Sequence, residues 1–287
     1  MLSLANDELA VELLDPASPG ERAHLGARFC WGGYIWQVRD GRAGDLLAGP
    51  EWPAANPLPF NGQGLPESFR HAEWPSQRPL TLVDGHGLII GAGEAAPGTD
   101  GETAITRPCA WQITGSATKR EFHTEQSILG WSCRLLRGVC LDGRTLTSVS
   151  RLTNTGKRPL PLHWFAHPFF ALSEGVLTCD LPAGYGFDEN PGFALDPHGR
   201  LSFKRRFIGI KDGHFQLLHV APKTPLRATL SHPLLEFVRF STDFVPDLCP
   251  VWGNGNTWSI EPYIMTTLAP GETRSWELKY EFGPVRT

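Results

Sequence analysis

Along most of the chain apolar and polar residues alternate in short runs broken by turn-forming pairs, the pattern of half-buried strands rather than helices. "ELAVELLDPASPGE" near the start reads as one such strand running into a Pro/Gly turn. "HLGARFCWGGYIWQVRDGRAGDLLAG" holds two strand-like runs with hairpin signals at Gly32-Gly33 and Asp40-Gly41. From residue 80 onward, β-branched and aromatic runs recur between D-G, T-G and N-T-G turns. Among them "RGVCLDGRTLTSVSRLTNTG" reads as a hairpin with Asp142-Gly143 at its tip. Residues 50–79 contain seven prolines and few strand-forming runs, so a long irregular loop is expected there, the kind of segment that serves as a lid or binding loop. The pattern predicts an all-β protein built as a large antiparallel β-sandwich. No linker or shift in composition interrupts it, so residues 1–287 are expected to form a single domain.

Composition fits this picture: 41% hydrophobic, 20% charged, with 31 Gly and 25 Pro for many turns. The formal net charge is −4 and the longest basic run is Lys204-Arg205-Arg206, which argues against nucleic acid as a partner. The start lacks a basic segment followed by an apolar one, and no long apolar run occurs elsewhere, so a cytoplasmic protein without a membrane partner is expected. Six cysteines without C-x-x-C spacing are read as reduced and mostly buried. The ten histidines show no H-E-x-x-H spacing, and "GQG" at 62–64 lacks the strand-turn-helix setting of a dinucleotide site. Neither a metal nor an organic cofactor is expected. Oligomeric state is not written in the pattern.

Two strands carry candidate chemistry. "LHWFAHPFFAL", residues 162–172, sets His167 among aromatic residues, where an imidazole needs a hydrogen-bond partner or a chemical role; His163 is read as packing. Glu261 lies between Ile260 and Pro262 and close to Trp258, surroundings that raise a carboxyl pKa and make it a usable base near neutrality. In the proline-rich loop, Glu67, Arg70, His71 and Glu73 are candidate binding residues.

"SRLTNTGKRPLPLHWFAHPFFAL" resembles the L-x-N-x-G-x-x-P-x-P…H-P-[YF]-F segment of the aldose 1-epimerase (galactose mutarotase-like) superfamily. "SIEPYIMTTLAPGETRSWELKYEFG" resembles its C-terminal glutamate strand followed by L-x-P-G-E, and "GARFCWGGYIWQV" is similar to its opening hairpin. Order and spacing agree across nearly the full chain. The resemblance implies a β-sandwich with a carbohydrate cleft, a small-molecule sugar as partner and no cofactor. It implies that Glu261 takes the proton of the anomeric hydroxyl while His167 protonates the ring oxygen. The ring then opens, the C1–C2 bond rotates, and closure gives the other anomer. Where the family carries a second histidine in a His-Gly motif, this chain has "LPESFRHAEWP"; His71 with Arg70 is the substitute, with His86 as second choice. For the family's substrate-orienting aspartate the candidates are Asp243 and Asp247, in a loop that also offers Trp252 for stacking on a pyranose.

The implied activity is interconversion of the α and β anomers of a hexose or modified hexose. The alternatives are a non-catalytic carbohydrate-binding or regulatory homologue and a hexose-6-phosphate 1-epimerase, in which Arg70, Arg78 or Arg107 would clamp the phosphate. A polysaccharide lyase ranks below these, because only four tyrosines are present for the machinery such enzymes use.

Overall fold

A computed structural model describes residues 1–73, 79–99 and 102–287. Among them the chain is an all-β sandwich whose larger layer is a ten-stranded antiparallel sheet. The hairpin expected around Asp142-Gly143 lies near one end of that layer, pairing Trp131–Asp142 with Thr145–Asn154. Alternation sorts its faces: Trp131, Cys133, Leu135, Val139 and Leu141 point inward, as do Leu146 and Leu152 on the partner strand. The C-terminal strand Thr273–Phe282 continues the sheet and adds Trp276, Leu278, Tyr280 and Phe282 to the same inner face.

Two small sheets form the facing layer. One orders Tyr263–Leu268, Leu160–Ala166 and Glu67–Phe69; the other orders Phe170–Ala171, Thr257–Ile260, Cys249–Asn254 and Gly213–Leu218. Aromatic contacts weld them to the large sheet: Trp164 lies 5.0 Å from Trp276, and Phe170 lies 6.1 Å from Phe240, between ring centroids. Two further four-stranded sheets, from residues 2–45 and 82–108, complete the fold. All six cysteines are free thiols and four are buried.

The N-T-G and P-G-E turns hydrogen-bond to each other. Asn154 N donates to Glu272 O at 2.9 Å and Gly271 N donates to Asn154 O at 2.8 Å. The fully buried Asn154 side chain donates to the carbonyls of Arg158 and Leu268 and accepts from Gly156 N. This knot starts Leu160–Ala166 and Tyr263–Leu268 in register, with Leu160 opposite Leu268 and Phe165 opposite Tyr263.

Two sequence expectations need correction. Gly32-Gly33 does not turn a hairpin: residues 25–34 form no strand, and their backbone is held by single bonds such as Cys30 N to Glu67 O and Trp31 N to Gly91 O. The proline-rich loop is irregular only in part, because Glu67–Phe69 joins the strand Leu160–Ala166. Just before it, Gly64 has φ +74°, and a Cβ there would sit 2.4 Å from the carbonyl oxygens of Ile35 and Trp36. Gly64→Ala is therefore expected to destabilise the protein by roughly 2 kcal/mol or more. A thermal melt coinciding with that of the parent would contradict this.

Candidate active site

The register set by the Asn154 knot also brings the candidate acid and base together. Two residues beyond the Phe165–Tyr263 pair, the same register sets His167 opposite Glu261, although they are far apart in sequence. His167 Nε2 lies 3.3 Å from Glu261 Oε1. On its other edge, His167 Nδ1 lies 3.0 Å from Ser259 Oγ. The backbone is held as well, by His167 N donating to Pro66 O and Glu261 N donating to Pro250 O, both at 2.8 Å. Phe29, Phe165 and Phe169 pack around the imidazole, with Phe169 at 4.4 Å between centroids.

Burial controls the charges of this pair. Glu261 is 5% exposed, and burial raises its carboxyl from the ordinary 4.5 to about 7, with Arg28, Arg70 and the Ser259 hydroxyl pulling the other way. Burial, aided by the nearby Arg28 charge, holds the His167 imidazole well below its ordinary 6.5. The other fully enclosed histidine, His232, offers a contrast: its ring meets backbone groups alone, Leu46 O on one nitrogen and the amides of Leu234 and Leu235 on the other. His167 instead meets two side chains, the Ser259 hydroxyl and the Glu261 carboxyl.

The pair lies at a cavity of about 750 Å³, a volume suited to a small ligand. Strand alternation builds one wall: Phe165, Tyr263, Ser68 and Arg70 project from one face of the three-stranded sheet. Trp252 closes another side with its ring 6.3 Å from that of His167. Loop residues Arg28, Phe60, Asn61 and Lys211 complete the lining, and His71 lies beside Arg70. A larger open depression of about 1110 Å³ crosses the outer face of the ten-stranded sheet, where Arg239 pairs with Glu281 and Lys279 with Glu277. In the smaller cavity, by contrast, a buried carboxyl and a buried imidazole lie in contact.

Of the residues expected from the sequence, Glu261, His167, Arg70, His71 and Trp252 converge on this cavity. Glu67 does not. Its place in the strand turns it to the core face, where it ion-pairs with Arg137 and accepts hydrogen bonds from Ser148, Ser150 and Trp164. Asp243 and Asp247 are exposed outside the lining, where each carboxylate accepts a backbone amide, from Glu277 and Met265 respectively. Arg107 pairs with Glu94 outside the cavity, His86 is exposed elsewhere, and Arg78 lies outside the described residues. Sequence reading missed Arg28, whose Nη1 donates to Phe60 O at 2.7 Å while its guanidinium stacks on Phe29 and Phe60. An arginine directly before the apolar run "FCWGGYIW" was the available signal.

Among the described residues, no group of three or more His, Cys, Asp or Glu is placed to hold a metal ion. Nor is any helix among them long and apolar enough to cross a membrane.

Solved structures align with the chain over almost its whole length. The galactose mutarotase related enzyme of Lactobacillus acidophilus superposes with a TM-score of 0.61 at 11% identity, covering 100% of this chain and 99% of that one. A galactose mutarotase-like protein of Lactobacillus casei gives 0.61 at 14% identity, covering 98% and 99%. The galactose 1-epimerase of Lactobacillus acidophilus NCFM gives 0.55 at 13% identity, covering 98% and 93%. The fold is galactose mutarotase-like. No protein-family model matches the chain, and no curated protein matches it in sequence. On this galactose mutarotase-like frame, the Glu261–His167 pair sits where the two small sheets meet.

Proposed function

We propose that the protein is a sugar isomerase of the aldose 1-epimerase type, a single domain over residues 1–287, in which Glu261 and His167 open and reclose a hexose ring. The observation that carries this reading is the contact between His167 Nε2 and Glu261 Oε1 at the base of a ligand-sized cavity. Ring opening requires a proton to leave the anomeric hydroxyl and another to reach the ring oxygen, both near neutral pH. A carboxyl raised to about 7 beside an imidazole offers those two transfers from adjacent atoms. Phe165, Tyr263 and Trp252 supply apolar faces for a sugar ring, and Asn61 and Ser68 supply hydroxyl partners.

The lining favours a sugar that bears a negative charge. Arg28, Arg70 and Lys211 face a cavity whose carboxylate lining is Glu261, which leaves cationic charge in excess when the sugar arrives. A hexose 6-phosphate fits that balance better than a neutral hexose.

Exchange NMR on equilibrated anomers tests both statements. The protein is expected to speed anomer exchange above the buffer rate, and more for glucose or galactose 6-phosphate than for the free sugars. Lys211→Met is expected to raise KM for the phosphorylated sugar by about threefold to tenfold while leaving kcat unchanged. Sugar binding by calorimetry without any gain in rate would instead mark a non-catalytic binding protein.

A further inference from the structure

Ser259 flanks the edge of the His167 ring opposite Glu261. It is fully buried in the strand Thr257–Ile260, two residues from Glu261, and it faces Trp252 across the strand pair. Alternation therefore aims Ser259 and Glu261 toward the same side, and His167 receives one on each edge of its ring.

We propose that Ser259 is the positioning residue of this site: its hydroxyl oxygen accepts the Nδ1–H of His167 and so leaves Nε2 as the nitrogen that trades a proton with Glu261 and with the sugar. The inference rests on the isomerase reading for its consequence in turnover, but the tautomer it assigns is a property of the protein alone.

Proton balance explains why the tautomer matters. A neutral imidazole carries one N–H. If that hydrogen were on Nε2, delivery to a ring oxygen would leave an imidazolate, which has no place at neutral pH. With the hydrogen on Nδ1, Nε2 is free to receive a proton from Glu261, giving a carboxylate beside an imidazolium. The carboxylate then takes the proton of the anomeric hydroxyl, forming its own O–H bond and breaking that of the sugar. The imidazolium gives its Nε2 proton to the ring oxygen as the C1–ring oxygen bond breaks. Glu261 ends protonated and His167 ends neutral with Nδ1–H intact, the state from which they began. Ring closure runs the same transfers backward on the other face of C1, so no proton need be drawn from solvent.

The serine suits that role: its oxygen carries two lone pairs, lies 3.0 Å from Nδ1 and is fully buried, so no water competes for the Nδ1–H. The ring cannot readily turn to exchange its edges, because Phe29, Phe165 and Phe169 pack around it. The other titratable or charged groups facing the pair are Arg28, Arg70, Tyr263 and Cys249, the last two driven upward by burial. Within the pair, Glu261 is the group that changes charge near neutrality.

Nitrogen-15 NMR of the intact protein reads the tautomer directly, with the His167 signals identified by their loss in His167→Gln. At pH 6 the ring is expected to carry its proton on Nδ1. Ser259→Ala is expected to move that proton to Nε2 and to lower kcat on the order of tenfold or more, with KM nearly unchanged. Ser259→Thr keeps an acceptor hydroxyl and is expected to restore both the nitrogen pattern and the rate. A wild-type ring protonated on Nε2 at pH 6 overturns the proposal, even if Ser259→Ala fails to fold. An unchanged nitrogen pattern in a folded Ser259→Ala protein overturns it as well. If the nitrogen pattern is as expected but no sugar is turned over, Ser259 keeps its positioning role and the isomerase reading falls.

Discussion

Replacing Glu261 by Gln is expected to abolish anomer exchange while making the protein harder to unfold above neutral pH. An amide is neither a base nor an acid, so kcat should fall by about a hundredfold to ten-thousandfold. The gain in stability has a separate cause. In the unfolded chain the carboxyl ionises near its ordinary 4.5, whereas in the fold burial holds its proton until about 7. The carboxyl therefore contributes full stability below 4.5, and that contribution is lost as the pH rises to about 7, on the order of 3 kcal/mol. The amide of the Glu261→Gln variant carries no such dependence. Urea unfolding of both proteins at pH 4, 6 and 8 should show the variant gaining relative to the parent as the pH rises. A constant difference across that range would mean that Glu261 is not buried as an acid. The same proton sets activity: kcat/KM should fall as the pH rises through about 7, where the pair loses its single shared proton.

The largest effect on stability is expected from Arg137→Met or Glu67→Gln. The two side chains form an ion pair in which Arg137 is 1% and Glu67 2% exposed. Ser148 Oγ donates to Glu67 Oε1 at 2.7 Å and accepts from Arg137 Nη2 at 3.0 Å, and Trp164 Nε1 donates to Glu67 Oε2 at 3.0 Å. Removing either partner leaves the other charge buried without its counterion, which costs about 3–5 kcal/mol. A fall in melting temperature of roughly 10 °C is expected from each single change. The double change Glu67→Gln with Arg137→Met should recover part of the loss, because no net charge is then left inside. Strict additivity of the two single effects in a double-mutant cycle would show that they do not act as a pair. The pair also ties the large sheet to the strand that carries Ser68 and the approach to Arg70, so the single variants should bind sugar more weakly.

Local pattern was enough for the sandwich. The hairpin over residues 131–154 follows from strict alternation around Asp142-Gly143, because a strand with one buried face must repeat every two residues. His167 and Glu261 could be paired from resemblance, and the register between their strands supplies the physical reason. Glu67 was legible as an unusual residue but not as an ion pair, since its partner Arg137 is seventy positions away on another sheet. Asp243 and Asp247 look like ligands in a loop sequence and serve as backbone acceptors, a role that turn aspartates commonly fill. Arg28 was missed because its neighbours in sequence are apolar, and the aromatic side chain and carbonyl of Phe60 that hold it come from a distant loop.

The two sides of the cavity have unlike origins. Phe165 and Tyr263 sit in paired strands, with His167 and Glu261 directly beyond the ends of strands, whereas Arg28, Phe60, Asn61 and Lys211 come from loops and turns. A substitution in the first group disturbs sheets that the whole fold depends on; one in the second changes a side chain whose backbone is already irregular. On the isomerase reading proposed above, substitutions in three short segments suffice to retune the sugar while the Glu261–His167 contact is kept.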